Sequence, residues 1–293
     1  MGSGIKNILL LIGLLGAGSF ALAQKVVEPS TKAHPEWSKP YPPFQIAGNL
    51  YYVGTYDLAC YLIVTPEGNI LINTGLAASA AGIKASIEKL GFKLSDTKIL
   101  LTTQAHYDHV GAMAAIKKMT GANLMVDFGD AAVVADGGRS DYNEKGDVCL
   151  FQPVKFDRIL HNGDTIKLGG MALIMLHHPG HTKGSCSYLF DVKDQQRKYR
   201  VLIANMPTIV TDKKFTDIPA YPHIAEDYAY TFQAMKHVTF DLWLASHGNQ
   251  FDLVHKHKPG PAAFMDKKAY YDELDQLEQD YKKHLATPTS SYR

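Results

Sequence analysis

Three cysteines among 293 residues, with no Cys-x-x-Cys pair between them, exclude a thiolate zinc cage and a thioredoxin-like redox motif. Cys60, Cys149 and Cys186 stand far apart. Their spacing allows one disulfide with a thiol left over, or three buried apolar thiols, and selects neither. Excess charge is also missing. Lys6 is the only charged residue of positions 1–23, and without it 29 basic side chains face 29 acidic ones, so neither nucleic acid nor an anionic membrane is an expected partner. No transmembrane-length apolar run occurs: the stretch 8–17 falls short of the roughly 20 residues a span requires. It follows Lys6 and precedes the small-x-small triplet Ala21, Leu22, Ala23, the layout of a cleavable secretory signal. Residues 1–23 are therefore read as a signal peptide, with periplasmic export and no membrane contact after cleavage. Low-complexity segments and short repeats are absent too.

What remains is a chain with 46% hydrophobic residues, enough for a substantial core and consistent with one domain. Residues 24–43, rich in proline and polar side chains, form an N-terminal arm; a single domain is expected over 44–293. The segments "FQIAGNLYYVG", "ACYLIVT" and "NILINTG", separated by turn residues, predict antiparallel strands. Apolar spacing at Ile83, Ile87 and Leu90 predicts a helix closed by Gly91. A strand at "KILLTT", a helix over 112–119 and a strand at "NLMVD" follow. The second half repeats this style with "TIKLGGMALIMLHHPGH", "SCSYLFDV", "YRVLIAN", a helix at "DYAYTFQAMKHV", and "FDLWLAS". A final helix aligns Leu274, Leu277, Tyr281 and Leu285 on one face. Two similar halves mixing strands with helices predict an α/β (α+β) protein whose layered sheets are covered by outer helices.

The stretch "LLTTQAHYDHVG" concentrates the chemistry. A loop leaving a strand aims side chains at i, i+2 and i+3 into one small space, the spacing of His106, Asp108 and His109. Imidazole and carboxylate suit zinc, and a cluster without cysteine points to a site that keeps positions for water. One loop cannot fill two coordination spheres. His181 in "HHPGHTKGS" and His247 in "LASHGNQF" each follow an apolar strand beside a glycine and are the best partners. His177 and His178 are neighbours on a strand and point to opposite faces, so at most one faces such a site. His223, His255 and His257 sit among polar neighbours and read as solvated. Gln104 is either a further ligand or a strand-end glutamine bonded to backbone.

The run "QAHYDH", the downstream "PGHTKGS" and the late "SHG" resemble the zinc-binding motifs of the metallo-β-lactamase superfamily, over about 44–252. The finer likeness is to subclass B3 β-lactamases of the GOB-like branch, which carry glutamine at the first ligand position. The resemblance implies a four-layer αββα sandwich of two similar halves. It also implies one zinc on Gln104, His106 and His181, and a second on Asp108, His109 and His247. A neutral amide oxygen is a poorer donor than imidazole, so the Gln104 site is expected to be the weaker. The implied activity is opening of the β-lactam amide of penicillins, cephalosporins and carbapenems by a zinc-bound hydroxide that Asp108 helps to orient, conferring antibiotic resistance. Many superfamily hydrolases place a bridging aspartate, and other lactamase subclasses a cysteine, where this chain has Asn205 and Met206; neither bridges zinc. That weakens a glyoxalase II or phosphodiesterase reading. Position 206 is usually serine in the subclass, so substrate contacts fall on Met206, Thr208 and Tyr142 as candidates, with Trp37, Tyr41 and Asp141 beside the mouth. A monomer is expected. The competing readings are a lactonase or thioesterase of the same superfamily, and a zinc-binding protein without turnover.

Overall fold

In the computed structural model, residues 25–143, 149–258 and 260–286 are described. Residues 1–23, the segment expected to be a signal peptide, lie outside them. The first half runs β1 (Phe44–Ala47), β2 (Leu50–Tyr52), β3 (Tyr61–Thr65), β4 (Gly68–Ile72), α1 (Ser79–Lys89), β5 (Thr97–Leu101), α2 (Tyr107–Val110), α3 (Met113–Thr120), β6 (Asn123–Asp127), α4 (Ala131–Asp136) and β7 (Arg158–Leu160). The second half runs β8 (Thr165–Leu168), β9 (Met171–His177), β10 (Cys186–Lys193), β11 (Lys198–Ala204), α5 (Ile224–Lys236), β12 (Leu242–Ala245), α6 (Leu253–Lys256) and α7 (Lys267–Ala286). Seven strands form one sheet in the order β1 to β7, and five form the other in the order β12, β11, β10, β9, β8. The opening strands pair antiparallel as expected, whereas β4 to β7 pair parallel. Parallel pairing requires crossovers, and α1 and α3 supply two of them.

Strand periodicity divides the core. Ile70, Ile72, Ile99 and Leu101 face the second sheet, where they join Leu173, Met175, Tyr188 and Val201. Their alternates Leu71 and Leu100 face outward onto Ile83 and Ile87 of α1 and Met113 and Ile116 of α3. Each such side chain contributes about 1.5–3 kcal/mol on burial. The second sheet is covered by α5 and α7, through Phe232, Met235, Tyr270 and Leu274. Leu285 departs from the expected face: it is 49% exposed, because the last turn of α7 runs past the core. Gly91 follows α1 at φ +86°, a left-handed backbone that ends the helix. Cys60 and Cys186 are buried free thiols, and Cys149 is buried as well. Among the described residues no helix is long and apolar enough to cross a membrane.

The strand ends of the two sheets are stitched together where the motifs lie. Ala59 N donates to Ser246 O at 3.1 Å and Cys186 N to Thr103 O at 2.8 Å. Asn73 turns with φ +62°, and its Oδ1 accepts from Thr103 N at 2.9 Å. Ser246 Oγ completes the contact by donating to Thr103 Oγ1 at 2.9 Å. Loops leaving β5, β9 and β12 therefore share one rim.

Candidate metal centre

The loop after β5 becomes helical earlier than the sequence suggested. α2 is a single turn that begins after His106, whose carbonyl accepts from both His109 N and Val110 N at 3.0 Å. Asp108 and His109 ride on that turn, and the His109 carbonyl is held from below by Thr74 N at 2.8 Å and Thr74 Oγ1 at 3.1 Å. The three sequence-distant regions do converge.

Asp108, His109 and His247 form a triangle of donor atoms. His109 Nε2 lies 3.2 Å from Asp108 Oδ2 and 3.2 Å from His247 Nε2, and His247 Nε2 lies 3.4 Å from Asp108 Oδ2. A tetrahedral zinc with bonds of roughly 2.0–2.1 Å keeps its ligands about 3.3 Å apart. The triangle has those edges, so this group could hold a metal ion. Burial alone would push the Asp108 carboxyl up, yet the flanking His109 and His247 hold it well below the usual carboxylate range. For His247 burial opposes the charged ring, but the carboxylates of Asp108 and Asp57 outweigh it and raise the imidazole to about 9.

Beside this triangle, the rings of His106 and His181 meet edge to face with centroids 4.9 Å apart. Gln104 is buried, and its Oε1 meets no hydrogen-bond donor among the described residues. An uncompensated buried amide oxygen costs free energy, and the backbone partner that a strand-end glutamine would use is not there. A cation between Gln104, His106 and His181 would supply one, so this donor set also fits a metal.

The rings of His247 and His181 are each oriented from behind, by groups whose role there the motifs did not show. His247 Nδ1 faces Asp57 Oδ2 at 2.9 Å, leaving Nε2 for the triangle. His181 Nδ1 donates to Thr208 O at 2.8 Å, and burial pushes its pKa down to about 3, which favours the neutral ring. Asp141 Oδ2 sits 3.5 Å from His106 Nε2. Asp130 spans the two loops that carry Gln104, His106 and His181. Its Oδ2 accepts from Ala105 N and Thr182 Oγ1, and its Oδ1 from Gly184 N, all at 2.8 Å. Gly184 passes so close that a Cβ there would stand 2.3 Å from Asp130 N.

The candidate substrate residues separate. Tyr142 is buried, its hydroxyl donating to the carbonyls of His181 at 3.0 Å and Gly180 at 3.3 Å, so it braces the His181 loop. Met206 is closed into the core, and buried Asn205 accepts from Ser246 Oγ at 3.0 Å. Thr208 lines a cleft of about 410 Å³ with Trp37, Asp57, His247, Gln250 and Glu273. Tyr41 packs on the sheet edge, 5.8 Å from Tyr52 by ring centroids, and Asp141 is buried rather than at the mouth. His177 pairs with Asp127 and His178 with Ser187, both at 2.8 Å, so neither joins the centre. His223 is exposed, and His255 is exposed beside Asp252. His257 departs from its expected solvation: it is bonded to Tyr41 Oη at 2.9 Å and stacked on Phe44.

Residues 54–194 match the metallo-β-lactamase superfamily. The fold superposes on the class B3 di-zinc metallo-β-lactamase LRA-12 from an Alaskan soil metagenome, with 65% identity and a TM-score of 0.86, covering 89% of this chain and 100% of that one. It likewise superposes on the metallo-β-lactamase GOB-18 from Elizabethkingia meningoseptica, with 56% identity and a TM-score of 0.87, covering 90% of this chain and 99% of that one. A curated hydroxyacylglutathione hydrolase of Rhodopseudomonas palustris (strain BisB5) is 31% identical over 131 residues, 45% of this chain and 42% of that protein. The chain thus spans less than half the length of that hydrolase. The likeness to these two lactamases covers 89% and 90% of this chain. The chain belongs to the metallo-β-lactamase superfamily, within its class B3 branch.

Proposed function

We infer that this chain is a zinc-dependent β-lactamase that opens the β-lactam amide. We extend the reading to penicillins, cephalosporins and carbapenems as substrates and to antibiotic resistance as the outcome. Two zinc ions serve as cofactor, the one beside Gln104 held more weakly. The working unit is a monomer exported to the periplasm after loss of residues 1–23. The observation that carries the reading is the triangle of Asp108, His109 and His247, whose edges suit a tetrahedral cation without any ligand from positions 205 or 206. The unmatched Gln104 oxygen supports the second cation.

Bound zinc supplies two kinds of chemistry, ionisation of water near neutral pH and polarisation of the amide carbonyl. The protein does the rest. Asp108 stays ionised between two imidazoles and offers a fixed acceptor that orients the attacking water. Hydrogen bonds donated by the ring Nδ1–H groups to Thr208 O and Asp57 set the tautomers of His181 and His247. The cleft beside Thr208 and Trp37 admits the substrate.

Metal-stripped mature protein, titrated with zinc against a carbapenem, a penicillin, a cephalosporin, an acyl-lactone and a glutathione thioester, tests the reading. β-Lactam turnover rising with added zinc is expected. Preference for the thioester would replace the assignment with that of the hydroxyacylglutathione hydrolases, and full β-lactam turnover without metal would end the zinc requirement.

A further inference from the structure

The N-terminal arm touches the metal centre through one hydrogen bond. Trp37 closes a short 3-10 turn, Pro35–Trp37, and its indole Nε1 donates to Asp57 Oδ2 at 3.1 Å. That oxygen is the one facing His247 Nδ1 at 2.9 Å. The other oxygen, Oδ1, accepts from Asn249 N at 2.8 Å, within the loop that carries His247. The indole also lies against the ligand ring, with centroids 5.9 Å apart, and 6.3 Å from Tyr107 on the His-x-Asp-His turn. Elsewhere the arm is fastened by paired backbone bonds between Val27 and Leu150 at 2.8 and 2.7 Å, by Ala77 N donating to Glu28 Oε1 at 2.6 Å, and by Tyr56 N donating to Lys39 O at 2.9 Å. An arm so anchored presents the indole at a fixed place.

We propose that the arm is a clasp on the Asp108, His109, His247 site, with Trp37 a positioning residue that fixes Asp57 and, through it, His247. Asp57 Oδ2 serves two donors, and loss of the indole N–H leaves the carboxylate free to rotate away from the ring it orients. Metal occupancy and arm seating are then coupled, and the coupling is reciprocal: whatever tightens the metal also tightens the arm. This rests on the zinc reading above but needs no β-lactam to test.

The experiment compares wild type with Trp37→Phe, which keeps an aromatic ring and deletes the N–H. Zinc affinities are measured by competition with a chromophoric chelator, and amide hydrogen exchange is followed over residues 27–40 with and without zinc. Expected are a weakening of one zinc equivalent by about three- to tenfold, somewhat less than for a direct partner of a ligand, and zinc-dependent protection of the arm in wild type that is diminished in the variant. Unchanged zinc affinities in Trp37→Phe, or arm exchange indifferent to zinc in a wild type that binds it, would overturn the clasp while leaving the lactamase reading intact. Zinc binding with normal coupling but no β-lactam turnover would do the reverse.

Discussion

Asp57 Oδ2 stands 2.9 Å behind Nδ1 of His247, on the opposite side of the ring from the metal-facing triangle. Removing a carboxylate in that position costs a ligand its orientation and basicity. Asp57→Asn is expected to weaken the zinc equivalent held by Asp108, His109 and His247 by about 10–100-fold. β-Lactam turnover should fall at limiting zinc and recover in excess. A competition titration indistinguishable from wild type would remove Asp57 from the site.

Gln104 presents a buried oxygen with no donor. If that oxygen ligates, Gln104→His replaces a weak donor with imidazole, and the weaker zinc equivalent should bind more tightly while the stronger is little changed. Stepwise affinities that do not move would count against ligation.

Asp130 accepts three hydrogen bonds from two separate loops. Asp130→Ala leaves the buried N–H groups of Ala105 and Gly184 unsatisfied, each costing about 1–3 kcal/mol, and takes from Thr182 Oγ1 one of its two partners, partly offset by removing a buried charge. Burial raises its carboxyl to about 6, so that offset is real at neutral pH. A net loss of roughly 3 kcal/mol is expected in urea unfolding of the metal-free protein. An unchanged midpoint would show that the loops hold without it.

His178 is fully buried against Ser187, and burial depresses its pKa to about 3. The unfolded chain therefore takes up a proton near pH 6.5 that the folded one refuses. Stability from this group is complete above pH 6.5 and declines as pH falls toward 3, by about 2 kcal/mol at pH 5. His178→Gln should flatten the pH dependence of unfolding between pH 7 and 5 by about one proton. Parallel slopes for the two proteins would refute the burial argument.

Much of the centre was legible because metal ligands are chemically distinctive and lie after apolar strands. His106, Asp108, His109, His181 and His247 needed only residue type and strand ends to be found. Asp57 and Asp130 did not stand out, since an acid acquires its role from what folds against it: His247 lies 190 positions from Asp57, and Thr182 lies 52 from Asp130. Tyr142 and Asp141 were candidates to line the mouth, yet both are buried because the His181 loop and His106 fold over them. Parallel pairing beyond β4 was not foretold, because both pairing modes share the same period.

The turn at Asn162 and Gly163 separates β7 of one sheet from β8 of the other. A cut there would give one fragment bearing Gln104, His106, Asp108 and His109 and another bearing His181 and His247. Neither piece owns a complete donor set. The colour change of a chromogenic β-lactam would then report the moment two separately made fragments find each other, with no added label.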